Sequence, residues 1–230
     1  MQTATSHEGG VAVMDDARRT KEVLRERIRG ERRRRVPAER EASARALAAI
    51  ALETPEISAA RSVATYVSTA TAPGTLPLRR ALISSGVQVL LPVLLDDGGI
   101  NWSTDGNDVV ASPAPDVIDL SAFDPSRAAP AEVLLVPALA VDTLGNRLGH
   151  GSGFYDRVLQ TVDPAVPVFA VAFEDEVLDA AVETVPTEPH DRPVDAIITP
   201  HRCLRLVSAD VGHARWGRRT SPRVRWCGEP

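Results

Sequence analysis

Three glycines at alternate positions, Gly149, Gly151 and Gly153, lie between Arg147 and the aromatic pair Phe154–Tyr155 in the run RLGHGSGFYDR (Arg147–Arg157). Glycines at that spacing let main chain come close to an anion. Unpaired N–H groups where a helix begins point at it. A second chemical marker is lysine. The chain has 26 lysines and arginines, and only Lys21 is a lysine. An ammonium is a compact point charge where a guanidinium is a planar fork, so this position suits contact with a phosphate oxygen. Lys21, Arg25 and Arg32 are spaced four and seven apart, so one helix face can carry all three. His150 stands between the glycines, where an imidazole can donate to a phosphate or move a proton.

Alone, the loop leaves alternatives. Its spacing is not the GxGxxG of a dinucleotide fold, and the phosphate-loop pattern GxxxxGK[ST] is absent. The same glycines fit a tight turn with Tyr155 in the core.

The elements that must position these residues follow from periodicity. Residues 1–15 are small, polar and without period, and read as a disordered leader. From Asp15 to Arg35 the spacing of Val23, Leu24 and Ile28 predicts a helix, with Arg32–Arg35 as a solvated basic end. Pro37 opens a second helix to about Glu53. Strands are expected at Arg61–Ser68, Val87–Leu95, Val133–Val141, Pro167–Phe173 and Val194–Thr199, with helices at Leu76–Ser85, after the glycine loop, and at Glu174–Ala181. Residues 103–131 read as a long surface connection, and the chain beyond about Val207 as a polar, Arg-rich tail (208–230). Strands alternating with helices predict one α/β domain over residues 16–207. Its sheet would be mostly parallel and covered on both faces, with ligands beyond the carboxyl ends of its strands.

Composition excludes several classes. The 230 residues, 43% hydrophobic and 25% charged, suit a single globular domain with a sizeable core. No apolar run reaches the length of a membrane span, and the first residues lack a secretory layout. A net charge of -5 and the lack of aromatics among the arginines argue against a nucleic-acid partner for Arg32–Arg35. Cys203 and Cys227 form no CxxC pair, and in a chain that reads as cytoplasmic neither a structural disulfide nor thiolate metal binding is expected.

The full string RLGHGSGFYDR, preceded by VPALAVDTLGN, closely resembles the signature of the 5-formyltetrahydrofolate cyclo-ligase (5,10-methenyltetrahydrofolate synthetase) family: a Val-Pro-rich strand, then Arg-Leu-Gly-x-Gly-x-Gly-aromatic-Tyr-Asp-Arg. KEVLR (Lys21–Arg25) with Arg32 resembles its N-terminal helix, YVS (Tyr66–Ser68) its first core strand, and EPHDRPVDAIITP (Glu188–Pro200) its closing segment. The resemblance runs in order over roughly residues 20 to 207.

It implies a three-layer, Rossmann-like domain of the NagB/RpiA/CoA-transferase-like kind. It also implies ATP- and Mg²⁺-dependent closure of 5-formyltetrahydrofolate to the 5,10-methenyl form. On that resemblance Lys21, Arg25 and Arg147 meet ATP phosphates, Leu148 to Phe154 cradle them (Leu148, Gly149, His150, Gly151, Ser152, Gly153 and Phe154), and Tyr155 borders nucleotide or pterin. Catalytic roles fall to Lys21, Arg147 and Tyr155. Thr69 and the stretch His150–Phe154 border the folate. Asp156 and Asp191 hold Mg²⁺, with Asp195 read as a strand cap and His190 given little weight. The chain departs from the family at Thr71-Ala72-Pro73-Gly74-Thr75, which has no acid where the family has one against folate; Thr69 and Thr71 remain as hydrogen-bonding groups. The expected protein is a cytoplasmic monomer with small-molecule partners and no membrane partner. The alternative is a nucleotide- and folate-binding paralogue without turnover.

Overall fold

The computed structural model describes residues 8–94, 100–105, 131–188, 191–206 and 224–226. Among the described residues there are five helices, α1 (Glu8–Arg34), α2 (Pro37–Glu53), α3 (Pro55–Ser58), α4 (Leu76–Ser84) and α5 (Phe154–Thr161). Eleven strands accompany them: β1 (Ser62–Ala64), β2 (Gln88–Leu94), β3 (Ile100–Thr104), β4 (Val133–Pro137), β5 (Ala140–Asp142), β6 (Arg147–Leu148), β7 (Val168–Val171), β8 (Val177–Leu178), β9 (Ala196–Ile198), β10 (Cys203–Leu206) and β11 (Val224–Trp226).

The main sheet has the order β11-β10-β9-β7-β4-β1-β2-β3. Its five central strands, β9, β7, β4, β1 and β2, run parallel, and β3, β10 and β11 join antiparallel at the two sides. The two-residue period of a strand divides the core. Val133 and Leu135 of β4 face a cluster with Leu47, Ala51, Leu78 and Leu82 of α2 and α4. Leu134 and Val136 face the opposite cluster with Phe154, Val158 and Leu159 of α5. These are the three layers expected of alternating strands and helices.

A smaller sheet, β6-β5-β8, carries a third cluster. Leu24 and Ile28 of α1 pack there on Leu139, Ala140, Leu148, Leu178 and Val185. Two of the three residues of the stripe read from the sequence, Leu24 and Ile28, thus form the seam by which α1 lies across the small sheet, while Val23 is exposed.

Several boundaries differ from expectation. The run Val133–Val141 is two strands in two sheets, because the chain leaves the main ladder after Pro137. Arg147 Nη1 takes the Pro137 carbonyl at 3.1 Å and Arg32 Nη2 takes that of Ala138 at 2.6 Å. Glu174–Ala181 is not a helix. A single 3₁₀ turn (Glu174–Glu176) leads into β8, which pairs with β5. Ladder pairing in Arg61–Ser68 is confined to Ser62–Ala64.

Helix α1 begins at Glu8, earlier than Asp15; residues 1–7 lie outside the described residues. The basic end of α1 is not simply solvated. Arg32 is buried against Glu176, and Arg35 pairs with Asp175 and lies 4.1 Å over the Phe173 ring. Part of the expected tail is structured, since β11 pairs with β10 in the register Leu204↔Trp226. The connection 106–130 and most of the tail lie outside the described residues. Cys203 is disulfide-bonded, against the expectation that no structural disulfide forms. Cys227 lies outside the described residues.

Candidate active site

Where β6 ends, Gly149–Gly153 cross from the small sheet to the first turn of α5. Gly151 has φ +105° and its α-carbon faces Arg25: a β-carbon there would stand 3.5 Å from the guanidinium carbon. Only glycine takes that backbone without strain. Leu148 and Phe154, at the ends of the loop, are buried in two core clusters, so their side chains anchor the loop and only their main chain faces the site. Ser152 Oγ accepts the Phe154 N–H at 3.3 Å, closing the first turn of α5.

Helix α1 holds the loop from one side. Arg25 Nε donates to the Gly149 carbonyl at 3.0 Å. One turn later Arg29 Nη2 donates to the His150 carbonyl at 2.8 Å. Glu22 sits between these arginines and accepts from both, at 3.0 Å and 3.2 Å. The hydrogen bond from Arg25, followed by the charge of both arginines, holds its carboxyl below the usual range. Another turn along, Arg32 makes a two-pronged bond to Glu176 at 2.6 Å and 2.7 Å.

The lone lysine is deep in this arrangement. Lys21 is 6% exposed, and its Nζ donates to Glu188 Oε2 at 3.0 Å and Asp191 Oδ2 at 2.8 Å. Asp191 also accepts the Glu188 N–H at 2.8 Å. Arg147 is buried and pairs with Asp156 on the first turn of α5, while its Nε is buried with no hydrogen-bond partner among the described residues.

His150 is half-buried. Burial first, and then the positive field of Arg32, Arg29, Arg147 and Arg25, lowers its pKa to about 4, so the ring is neutral at physiological pH. Tyr155 meets Phe154 edge-on at 5.0 Å and Tyr66 at 6.5 Å. The Tyr66 hydroxyl donates to the Pro73 carbonyl at 3.2 Å, tying the 69–75 loop to the same aromatic group.

The structure therefore brings Arg25 onto the glycine loop, pairs Arg147 with Asp156 just after it, stacks Tyr155 edge-on against Phe154 at its end, and pairs Lys21, one turn before Arg25 on α1, with Asp191 and Glu188. Thr69 lies outside these contacts, half-buried in a separate pocket beside α2. Asp195 accepts the Val168 N–H at 3.0 Å, a strand contact as expected. His190 lies outside the described residues. Sequence reasoning passed over Arg29, Glu22, Glu176 and Glu188. Arg29 is one turn beyond Arg25, and Glu188 opens the EPHD string, so both carried a signal. Nothing local marked Glu176 as the buried partner of Arg32.

As to a metal, no group of three or more His, Cys, Asp or Glu side chains able to hold one occurs among the described residues. Asp156 and Asp191 are hard oxygen donors that each already neutralise a cation of the site. That donor set fits a Mg²⁺ carried in on phosphates and completed by one or two carboxylates, and does not fit an all-protein cage.

Comparison with known proteins agrees with the resemblance. The 5-formyltetrahydrofolate cyclo-ligase of Mycolicibacterium smegmatis is 37% identical over 154 residues, 62% of this chain and 75% of that protein. The Escherichia coli K12 5-formyltetrahydrofolate cyclo-ligase is 32% identical over 187 residues, 76% of this chain and 97% of that protein. The fold matches the NMR structure of Aquifex aeolicus 5,10-methenyltetrahydrofolate synthetase at a TM-score of 0.69, with 23% identity over 84% of this chain and 96% of that one. A 5,10-methenyltetrahydrofolate synthetase from Mycoplasma pneumoniae matches at 0.59, with 20% identity over 79% and 99%. The family model of the 5-formyltetrahydrofolate cyclo-ligase family matches residues 17–200, and the chain belongs to that family.

Proposed function

We propose that the chain converts 5-formyltetrahydrofolate to 5,10-methenyltetrahydrofolate at the expense of ATP. The observation that carries this reading is the hold of Arg25 and Arg29 of α1 on the Gly149 and His150 carbonyls of the glycine loop, with Lys21 one turn earlier on the same helix among Glu188 and Asp191. Phosphoryl transfer asks little covalent chemistry of a protein and much positioning of charge. The γ-phosphoryl group of ATP passes to the formyl oxygen of the folate. The N10 nitrogen then attacks the formyl carbon, the C–O bond breaks, phosphate leaves with that oxygen, and N10 gives up its proton to solvent.

Lys21 and Arg147 neutralise phosphate oxygens in this scheme. Arg25 adds charge and holds the loop. The N–H groups of the loop cradle the phosphates at the start of α5. Tyr155 borders the bound ligands. Asp156, and Asp191 with Glu188 beside it, would hold Mg²⁺, which would supply neutralisation of phosphate charge. No described helix is long and apolar enough to cross a membrane. The reading places the enzyme in the cytoplasm as a monomer.

The test is the absorbance of the methenyl product with 5-formyltetrahydrofolate, ATP and Mg²⁺. An ATP-dependent rise that falls at least tenfold in Lys21→Ala is expected, from loss of a charge-assisted contact worth about 1.5–3 kcal/mol. No rise at any ATP or Mg²⁺ concentration overturns the reading. Ligand binding without turnover would instead favour the binding-only paralogue.

A further inference from the structure

Between α1 and the carboxyl ends of β4 and β7 the chain buries an ion pair that the proposed reaction does not use. Arg32 of α1 and Glu176, which closes the 3₁₀ turn after β7, are each 1% exposed. An apolar pair of similar volume would fill that space at equal or lower free energy, because desolvating two charges offsets most of their attraction. What an apolar pair cannot do is hold a main-chain group in one direction.

The ion pair does so. Glu176 Oε1 accepts from Arg32 Nε at 2.6 Å, and Oε2 accepts from Nη2 at 2.7 Å. The second hydrogen of Nη2 goes to the Ala138 carbonyl at 2.6 Å. The carboxylate is itself steadied by the Phe173 N–H at 2.9 Å, so it sets the direction of the donor that meets Ala138.

Ala138 is the middle of the crossing from β4 to β5. Its own N–H is tied to the Val171 carbonyl at 3.1 Å. Before it, the Pro137 carbonyl accepts from Arg147 Nη1 at 3.1 Å. After it, the Leu139 N–H donates to the Leu148 carbonyl at 2.8 Å. Arg147 lies so close to the first glycine of the loop that a β-carbon on Gly149 would stand 2.9 Å from Nη1. Arg147 and the start of the loop therefore rest on this crossing, and Arg32 grips it from α1. The charge of Arg32 also acts on His150 more strongly than that of Arg29, Arg147 or Arg25, as a buried charge near the loop should.

Resting on the reading above, we propose that Arg32 and Glu176 are positioning residues for the nucleotide. They hold the Pro137–Leu139 crossing where it presents Arg147 and the N–H groups of the Gly149–Gly153 loop to the ATP phosphates. Neither side chain touches the nucleotide.

Calorimetric titration with Mg-ATP, thermal melting and the amide NMR signals of Gly149 and Gly151 test this on two variants. Arg32→Met with Glu176→Leu keeps the bulk and removes both the charges and the grip on Ala138. Arg32→Lys keeps a charge for Glu176 but lacks the planar fork that serves the acid and Ala138 together. Both variants should bind Mg-ATP about tenfold more weakly than the wild type and shift the two glycine signals. The paired substitution should melt within a few degrees of the wild type; if it does not fold, Arg32→Lys decides. A role in stability alone predicts wild-type affinity in each folded variant. Wild-type Mg-ATP affinity in either one, or an Arg32→Lys chain that does not fold, overturns the inference while leaving the proposed reaction standing. Failure of the wild type to bind Mg-ATP overturns both.

Discussion

Arg29 donates to the main-chain oxygen of His150 at 2.8 Å, one helical turn after Arg25 does the same for Gly149 at 3.0 Å. In a trans peptide the N–H points opposite to the C=O. Drawing two successive carbonyls toward α1 therefore turns the N–H groups of His150 and Gly151 away from it. The helix fixes the aim of the donors without itself carrying them.

Arg29→Ala should accordingly weaken Mg-ATP binding about five- to tenfold, the loss of one charged hydrogen bond discounted for partial exposure. Arg29→Lys should recover part of it. Calorimetric titration with Mg-ATP checks both variants, and a melting temperature within a few degrees of wild type separates aiming from folding.

His150 should stay neutral from pH 8 down to about 5, seen as an unmoving ring-proton shift in an NMR titration. Its folded pKa of about 4 lies below the ordinary 6.5. The unfolded chain thus binds a proton first as pH falls. Stability should be full above pH 6.5 and should drop through the window from 6.5 to 4, by on the order of 2–3 kcal/mol. His150→Gln should flatten that part of the pH profile.

Removing Arg32 strands a buried carboxylate. Burial already pushes the Glu176 carboxyl above its usual range, against the hydrogen bond from Arg32. Arg32→Met should cost about 3–5 kcal/mol in urea unfolding, and adding Glu176→Leu should return much of it.

Gly74→Ala should cost about 1–3 kcal/mol, because the new methyl meets Ala44 at 2.8 Å. Ala44→Gly in the same chain removes the clash, at a helix-interior cost of about 0.5–1 kcal/mol. A thermal-melt double-mutant cycle should show the two changes coupled, with the Gly74→Ala penalty largely gone in the Ala44→Gly background.

Local chemistry was readable and long-range chemistry was not. Helix α2 runs from Pro37 to Glu53 as its first-turn proline and spacing indicated. The glycine loop stands between a strand and a helix as its composition implied. The break between β4 and β5 was hidden, since VLLVPALAV reads as one apolar run. It is made by Arg147 and by Arg32, which is 106 residues distant from Ala138. Strand β11 has no periodicity and is defined by its partner β10. Arg29 was indistinguishable from its neighbours in an arginine-rich helix until the carbonyl it meets was visible.

Helix α1 reaches its partners only across long stretches of chain: Gly149 lies 124 residues from Arg25, Glu176 lies 144 from Arg32, and Asp191 lies 170 from Lys21. Such contacts form late, because closing long loops costs entropy before any contact repays it. During synthesis Lys21 and Arg32 of this helix must wait for Asp191 and Glu176 until the second half of the chain has emerged. The helix that is made early is then among the last to dock, and its cations meet their partners only when the sheet beneath them is complete.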